Sequence, residues 1–115
     1  LLTAHPEINV IYAANEGGTV GAMQAVKNAG KEGKVFVFGT DGSEQLARGL
    51  LANDNVLQAT TAQQPFVVGR SGVRDALAVL QGKAVKAEET IPVKLLARAD
   101  KNVVQAFLKE QKNLK

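Results

Sequence analysis

Ile8-Asn9-Val10-Ile11-Tyr12-Ala13-Ala14-Asn15-Glu16-Gly17-Gly18-Thr19-Val20-Gly21-Ala22-Met23 is the stretch that decides the fold. Ile8 to Ala14 is an apolar run with β-branched residues, bounded by Pro6 and by Gly17-Gly18, the pattern of a strand covered on both faces. From Thr19 to Ala29 the apolar residues Val20, Met23, Ala25, Val26 and Ala29 fall near helical spacing, and Gly30 stands where a helix commonly stops. The first unit therefore reads as strand, glycine turn and helix.

The same rhythm returns along the rest of the chain. Lys34 to Gly39, with Val35-Phe36-Val37-Phe38 at its centre, predicts a second strand, and Ser43 offers a side-chain oxygen to cap a helix over Glu44 to Leu51. Asp54 and Asn55 supply the next turn. Val56 to Ala62 predicts a third strand; Pro65 pushes Gln64 towards an extended conformation before a helix from Phe66 to about Leu80, closed by Gly82. Thr90 to Leu96 predicts a last strand, after which Asp100 or Asn102 caps a short helix carrying Val103, Val104, Phe107 and Leu108. The lysine-rich end reads as a frayed tail. Strands alternating with helices imply parallel pairing through right-handed crossovers, because a parallel connection needs about a dozen residues. The fold class is α/β, with a parallel sheet.

At 115 residues there is room for one modest domain and no second. Hydrophobic residues at 45% and charged residues at 22% are ordinary for a globular α/β protein, and no window approaches the ~20 apolar residues of a membrane span. The net charge of +3 comes mainly from scattered lysines, without the clustered arginines and interleaved aromatics of a nucleic-acid surface, so no nucleic-acid partner is expected. Cysteine is absent, which excludes disulfides and thiolate chemistry and is compatible with export. Leu1-Leu2-Thr3-Ala4 reads as the last turn of a helix that Pro6 forbids from continuing, so the chain is expected to begin inside a larger protein.

In open α/β sheets, ligands bind outside the carboxyl ends of the strands. Here those ends are polar: Asn15-Glu16 after the first strand, Asp41 within Phe38-Gly39-Thr40-Asp41-Gly42 after the second, Gln63-Gln64 after the third. Adjacent strands lie ~4.8 Å apart, so three neighbouring ends spread hydrogen-bonding groups over about 10 Å, the width of a monosaccharide. An ionised aspartate accepts from two vicinal hydroxyls, and Asn and Gln each offer an acceptor and two donors. Asn15, Asp41 and Gln63 together match a polyol. The same residue types also form turns and caps, and Gln63 could simply be solvated.

Other chemistries fit less well. A dinucleotide fingerprint that uses Gly18 and Gly21 places Glu16 where its first glycine belongs, and a carboxylate there repels pyrophosphate. Glu16 and Asp41 could form the carboxylate pair of a glycosidase, but no sequence feature fixes their separation. His5 precedes a proline with no other histidine or cysteine at ligand spacing, so no metal is expected. No phosphate-binding lysine motif or nucleophile elbow is present, and no cofactor is implied.

Three stretches carry a family resemblance: Ile11-Tyr12-Ala13-Ala14-Asn15-Glu16 running into Gly21-Ala22, Val37-Phe38-Gly39-Thr40-Asp41-Gly42, and Ala59-Thr60-Thr61-Ala62-Gln63-Gln64-Pro65. In order and spacing the chain resembles the carboxy-terminal half of the type I periplasmic binding proteins, the ribose-binding group that includes the lactose-repressor-like regulators. The resemblance implies a three-layer αβα fold present as an incomplete fragment. It also implies a sugar contact from one polar residue after each strand, at Asn15, Asp41 and Gln63. The chain departs from the commonest pattern after Asn15, where Glu16-Gly17 replaces an Asp-Glu pair, which bears on sugar identity.

The resemblance further divides the chain. Residues 1–63 would belong to the carboxy-terminal lobe, residues 64–93 would pack on the amino-terminal lobe, and residues 94–115 would return through the hinge and form the terminal helix. Aromatic residues that sandwich the sugar would come from the missing amino-terminal lobe. Alone, the fragment is expected to expose an open sheet edge at the first strand and to be weakly stable or to associate. The expected function is the solute-binding component of a bacterial sugar uptake transporter of the ABC type. It would close on a pentose or hexose and engage a membrane permease, in the periplasm or, in a Gram-positive cell, as an extracellular lipoprotein. The alternative is the effector-binding domain of a lactose-repressor-like transcription regulator. Neither reading makes the chain an enzyme.

Overall fold

A computed structural model describes residues 1–113 of the chain. In chain order its elements are β1 (Val10–Tyr12), α1 (Glu16–Asn28), β2 (Phe36–Thr40), α2 (Glu44–Leu51), β3 (Leu57–Ala62), α3 (Pro65–Leu80), β4 (Lys94–Ala97) and α4 (Lys101–Asn113). They fall into two compact units, Leu1–Ala62 with the segment from Leu95 onward, and Gln63–Lys94.

The first unit is built on a sheet of order β1-β2-β3-β4. β1 pairs with β2 and β2 with β3, both parallel, with Ile11 opposite Val37 and Gly39 opposite Thr60. α1 and α2 are the connections such pairing requires. β1 is shorter than its apolar run because the chain leaves the sheet early to start α1, yet the ladder continues one step at each end: Phe36 N–H donates to Asn9 O and Ala13 N–H to Phe38 O, both at 2.9 Å.

α1 begins three residues earlier than its apolar spacing predicts. Asn15 Oδ1 accepts from Gly18 N–H at 2.7 Å, which satisfies a first-turn donor and draws Gly17 and Gly18 into the helix instead of a separate turn. At the other end Gly30 takes φ +61, where Lys31 N–H reaches back to Val26 O at 3.1 Å. α2 starts as its sequence predicts, with Ser43 Oγ accepting from Leu46 N–H at 3.2 Å. α4 is capped by Asp100, whose Oδ1 accepts from Val103 N–H at 3.2 Å, and not by Asn102. β4 starts only at Lys94, later than the predicted Thr90, because Pro92 has no N–H to give a ladder. Leu1 to Ala4 form a single turn, closed by His5 N–H on Leu1 O at 2.9 Å. The predicted frayed tail lies partly outside the described residues; Lys112 and Asn113 are helical.

The core draws Val26 from α1, Leu46 and Leu50 from α2, Val37 and Leu57 from the central strands, Leu96 from β4 and Val104 and Phe107 from α4. Each fully buried leucine contributes about 1.5–3 kcal/mol by leaving water. Residues of β2 alternate in burial, as pleating demands. Val37 and Leu96 are buried, while Val10, Tyr12, Phe38 and Leu95 on the opposite sheet face are 53%, 68%, 37% and 63% exposed. The helices of this unit thus cover one face, and its residues do not supply the third layer of an αβα sandwich.

The second unit is α3 and the irregular segment after it. Pro65 takes the first turn of the helix, one residue before the predicted start at Phe66, and Gly82 at φ +72 follows its end. Gln64 Nε2 donates to Pro92 O at 2.6 Å, and Arg74 pairs with Asp75 and Glu89. No residue of α3 is buried, and Phe66, Val73, Leu77 and Leu80 all stand exposed.

Candidate functional site

Asn15 sits where β1 gives way to α1. Its extended backbone (φ −157) and side-chain cap let the chain turn from strand to helix in one residue. The side chain is exposed, and its amide oxygen is committed to Gly18.

Asp41 follows β2 and has φ 78, a left-handed conformation that Asp and Asn tolerate better than most residues. Its backbone is tied to β3: Asp41 N–H donates to Thr61 O at 3.0 Å, and Thr60 Oγ1 donates to Asp41 O at 2.6 Å. Gly42 is obligatory next to it, because a Cβ there would lie 2.3 Å from Ala62 Cβ and 3.0 Å from Ala62 Cα. From this fixed turn Asp41 Oδ2 accepts from Glu16 N–H at 3.0 Å. The carboxylate therefore meets the amino terminus of α1, where unpaired N–H groups and the helix dipole favour negative charge.

Asn15 and Asp41 are thus brought together at one sheet rim, one residue apart through Glu16. Gln63 is exposed, directly follows β3 at Ala62, and is the first residue of the second unit. The contact between Glu16 and Asp41 runs through the Glu16 backbone. His5 is exposed and faces Glu7 at 3.2 Å, and among the described residues no three His, Cys, Asp or Glu side chains group as a metal site.

Sequence reasoning missed several groups. Tyr12 Oη and Thr40 Oγ1 lie 2.7 Å apart on the uncovered sheet face, which also carries a shallow apolar hollow bordered by Tyr12, Phe38, Ala59 and Leu95. None of Asn15, Asp41 and Gln63 borders it. Thr19 and Thr60 are buried hydroxyls bonded to the carbonyls of Asn15 and Asp41. Their signal was a threonine inside an apolar pattern, which reads equally well as an ordinary strand or helix residue.

A second polar cluster holds the far side of the unit together. Arg98 donates to Leu57 O at 2.6 Å, Gly49 O at 2.8 Å and also to Ala52 O, and its guanidinium lies 3.3 Å from Asp54. Lys27 Nζ pairs with the other Asp54 oxygen at 2.7 Å. Burial works against the charged Asp54, but the hydrogen bonds from Lys27 and Val56 and the charges of Lys27 and Arg98 outweigh it and hold the carboxyl below its ordinary pKa.

The sequence pattern of the periplasmic binding protein domain matches residues 1–84. The chain belongs to the periplasmic binding protein family. Among characterised members, it is 39% identical over 98 residues to the ribose import binding protein of Escherichia coli (strain K12), matching 85% of this chain and 32% of that one. It is likewise 39% identical over 93 residues to the D-allose-binding periplasmic protein of the same organism, over 81% of this chain and 28% of the relative. The chain spans about a third of the length of these relatives. The solved structure of an ABC transporter solute binding protein from Agrobacterium vitis with bound allitol superposes with a TM-score of 0.82 at 28% identity, covering 91% of this chain and 37% of that one. A periplasmic solute binding protein from Actinobacillus succinogenes 130z with bound D-allose gives 0.81 at 29% identity, over 89% and 35%. This periplasmic binding protein segment therefore has the α/β fold of that family in incomplete form.

Proposed function

We propose that the protein is the solute-binding component of a bacterial sugar uptake transporter of the ABC type, and that Asn15, Asp41 and Gln63 contact the sugar. The observation that carries this reading is the Asp41 carboxylate, held in a left-handed turn against the amino terminus of α1 beside Asn15. A carboxylate fixed in this way is an acceptor already oriented for hydroxyl donors, and little ordering entropy remains to be lost on binding. Gln63, immediately after β3, adds an amide that donates and accepts. Relatives named for ribose and D-allose support a pentose or hexose ligand.

On this reading residues 64–93 pack on the amino-terminal lobe, and the exposed apolar side chains of α3 are the surface that does so. Residues 94–115 return through the hinge. The closed protein presents itself to a membrane permease, and the protein resides in the periplasm or is anchored outside a Gram-positive cell. It binds its sugar without making or breaking a bond. The named relatives act in import, which favours uptake over the transcription-regulator alternative.

A thermal-shift screen of the full protein against pentoses and hexoses tests the reading. A sugar present at 100 times its dissociation constant adds about 2.7 kcal/mol to stability and raises the melting temperature. No shift with any of them, D-ribose and D-allose included, overturns it.

A further inference from the structure

Among the described residues, the buried polar side chains are Thr19 and Thr60. Each gives its hydroxyl to the backbone carbonyl of a residue at the strand rim, Thr19 to Asn15 at 2.7 Å and Thr60 to Asp41 at 2.6 Å. The two are not equivalent. Thr19 bonds the carbonyl four residues back along its own helix, as threonines in helices often do. Thr60 reaches from β3 to a turn after β2, 19 positions away in sequence.

That long-range bond has a specific mechanical setting. Asp41 is a non-glycine residue at φ 78, a conformation that persists only where its surroundings hold it. β3 holds it from both sides of the residue: Thr61 O takes the Asp41 N–H and the Thr60 hydroxyl supplies the Asp41 carbonyl. The carbonyl bond is the one made by a side chain, so it is the one a substitution can remove. Thr60 is 1% exposed, so no bulk water stands ready to replace the lost donor.

We infer that Thr60 is a positioning residue for Asp41: its buried hydroxyl fixes the left-handed Asp41 peptide and so aims the carboxylate at the Glu16 N–H and at the sugar. This rests on the reading that Asp41 is a ligand residue. The role of Thr60 is exerted through Asp41, whose carbonyl it holds.

Thr60→Val removes the donor at similar size, and Thr60→Ser keeps it. Both are made in the full protein and titrated with D-ribose and D-allose, and amide hydrogen exchange is followed at Glu16, whose N–H reports the Asp41 carboxylate in the absence of any sugar. Thr60→Val should weaken binding about tenfold and speed Glu16 exchange by a similar factor, the loss of one buried hydrogen bond. Thr60→Ser should restore both. If Thr60→Val does not fold, Thr60→Cys, a weak donor of similar size, takes its place and should behave like the valine variant. A lower melting temperature with wild-type affinity and wild-type Glu16 exchange overturns the inference, as does failure of Thr60→Ser to restore them. If the wild-type protein binds neither sugar, the ligand reading fails for these sugars, and Glu16 exchange still decides whether Thr60 positions Asp41.

Discussion

Asn15 caps α1, and on the proposed reading it would also contact the sugar. Its oxygen caps α1, so its loss removes a helix cap as well as a candidate sugar contact. The two roles separate by substitution. Asn15→Ala should lower stability by about 0.5–2 kcal/mol in urea denaturation, whereas Asn15→Asp keeps a capping oxygen and should stay within a few tenths of the wild type. Asn15→Asp nonetheless loses the amide donors and should bind sugar more weakly. At this level the sequence was informative for a simple reason: the position after a strand is legible from the end of an apolar run, and Asn15, Asp41 and Gln63 all occupy such positions. Thr60 was not legible, because a buried hydroxyl and a half-buried strand threonine look identical until the partner carbonyl is located 19 residues away.

Among the elements, α2 was placed from sequence to the residue, since Ser43 carries a capping oxygen and Leu46, Ala47 and Leu50 form an apolar face. α1 was predicted too short because Gly17 and Gly18 look like a turn, and only the Asn15 cap makes them helical. The cluster joining α1, α2 and the end of β4 escaped notice because Lys27, Asp54 and Arg98 are far apart in the chain and each resembles a surface charge. Asp54 gives the cluster a pH signature. Its folded pKa is depressed, so the stability it contributes is present above the unfolded carboxyl pKa and is lost as pH falls through the folded value. Asp54→Asn should cost about 1–3 kcal/mol at neutral pH, because Lys27 and Arg98 lose a charged partner. Denaturation measured down the acid range should show the gap between wild type and variant closing below about pH 4. A gap that stays constant down to pH 3 would contradict the assignment.

At the largest scale, each of the two compact units leaves apolar side chains exposed. The first unit has a buried core on one sheet face, while Val10, Tyr12, Phe38 and Leu95 leave the other face apolar and uncovered, and β1 stands at the sheet edge. α3 buries none of its residues. Surfaces of this kind are costly in water and suit a chain that spans about a third of its relatives. The sequence revealed the α/β rhythm, but the uncovered face depends on strand order and crossover side, which periodicity does not specify. On the proposed reading, the carboxylate at the end of β2 binds a sugar. The most direct test of that reading is isothermal titration of the full protein and its Asp41→Asn variant with D-ribose and D-allose. The wild type should bind at least one, and the variant should lose about 10- to 100-fold in affinity, since a hydrogen bond to a charged acceptor contributes about 1.5–3 kcal/mol. Equal affinities in the two proteins would contradict it.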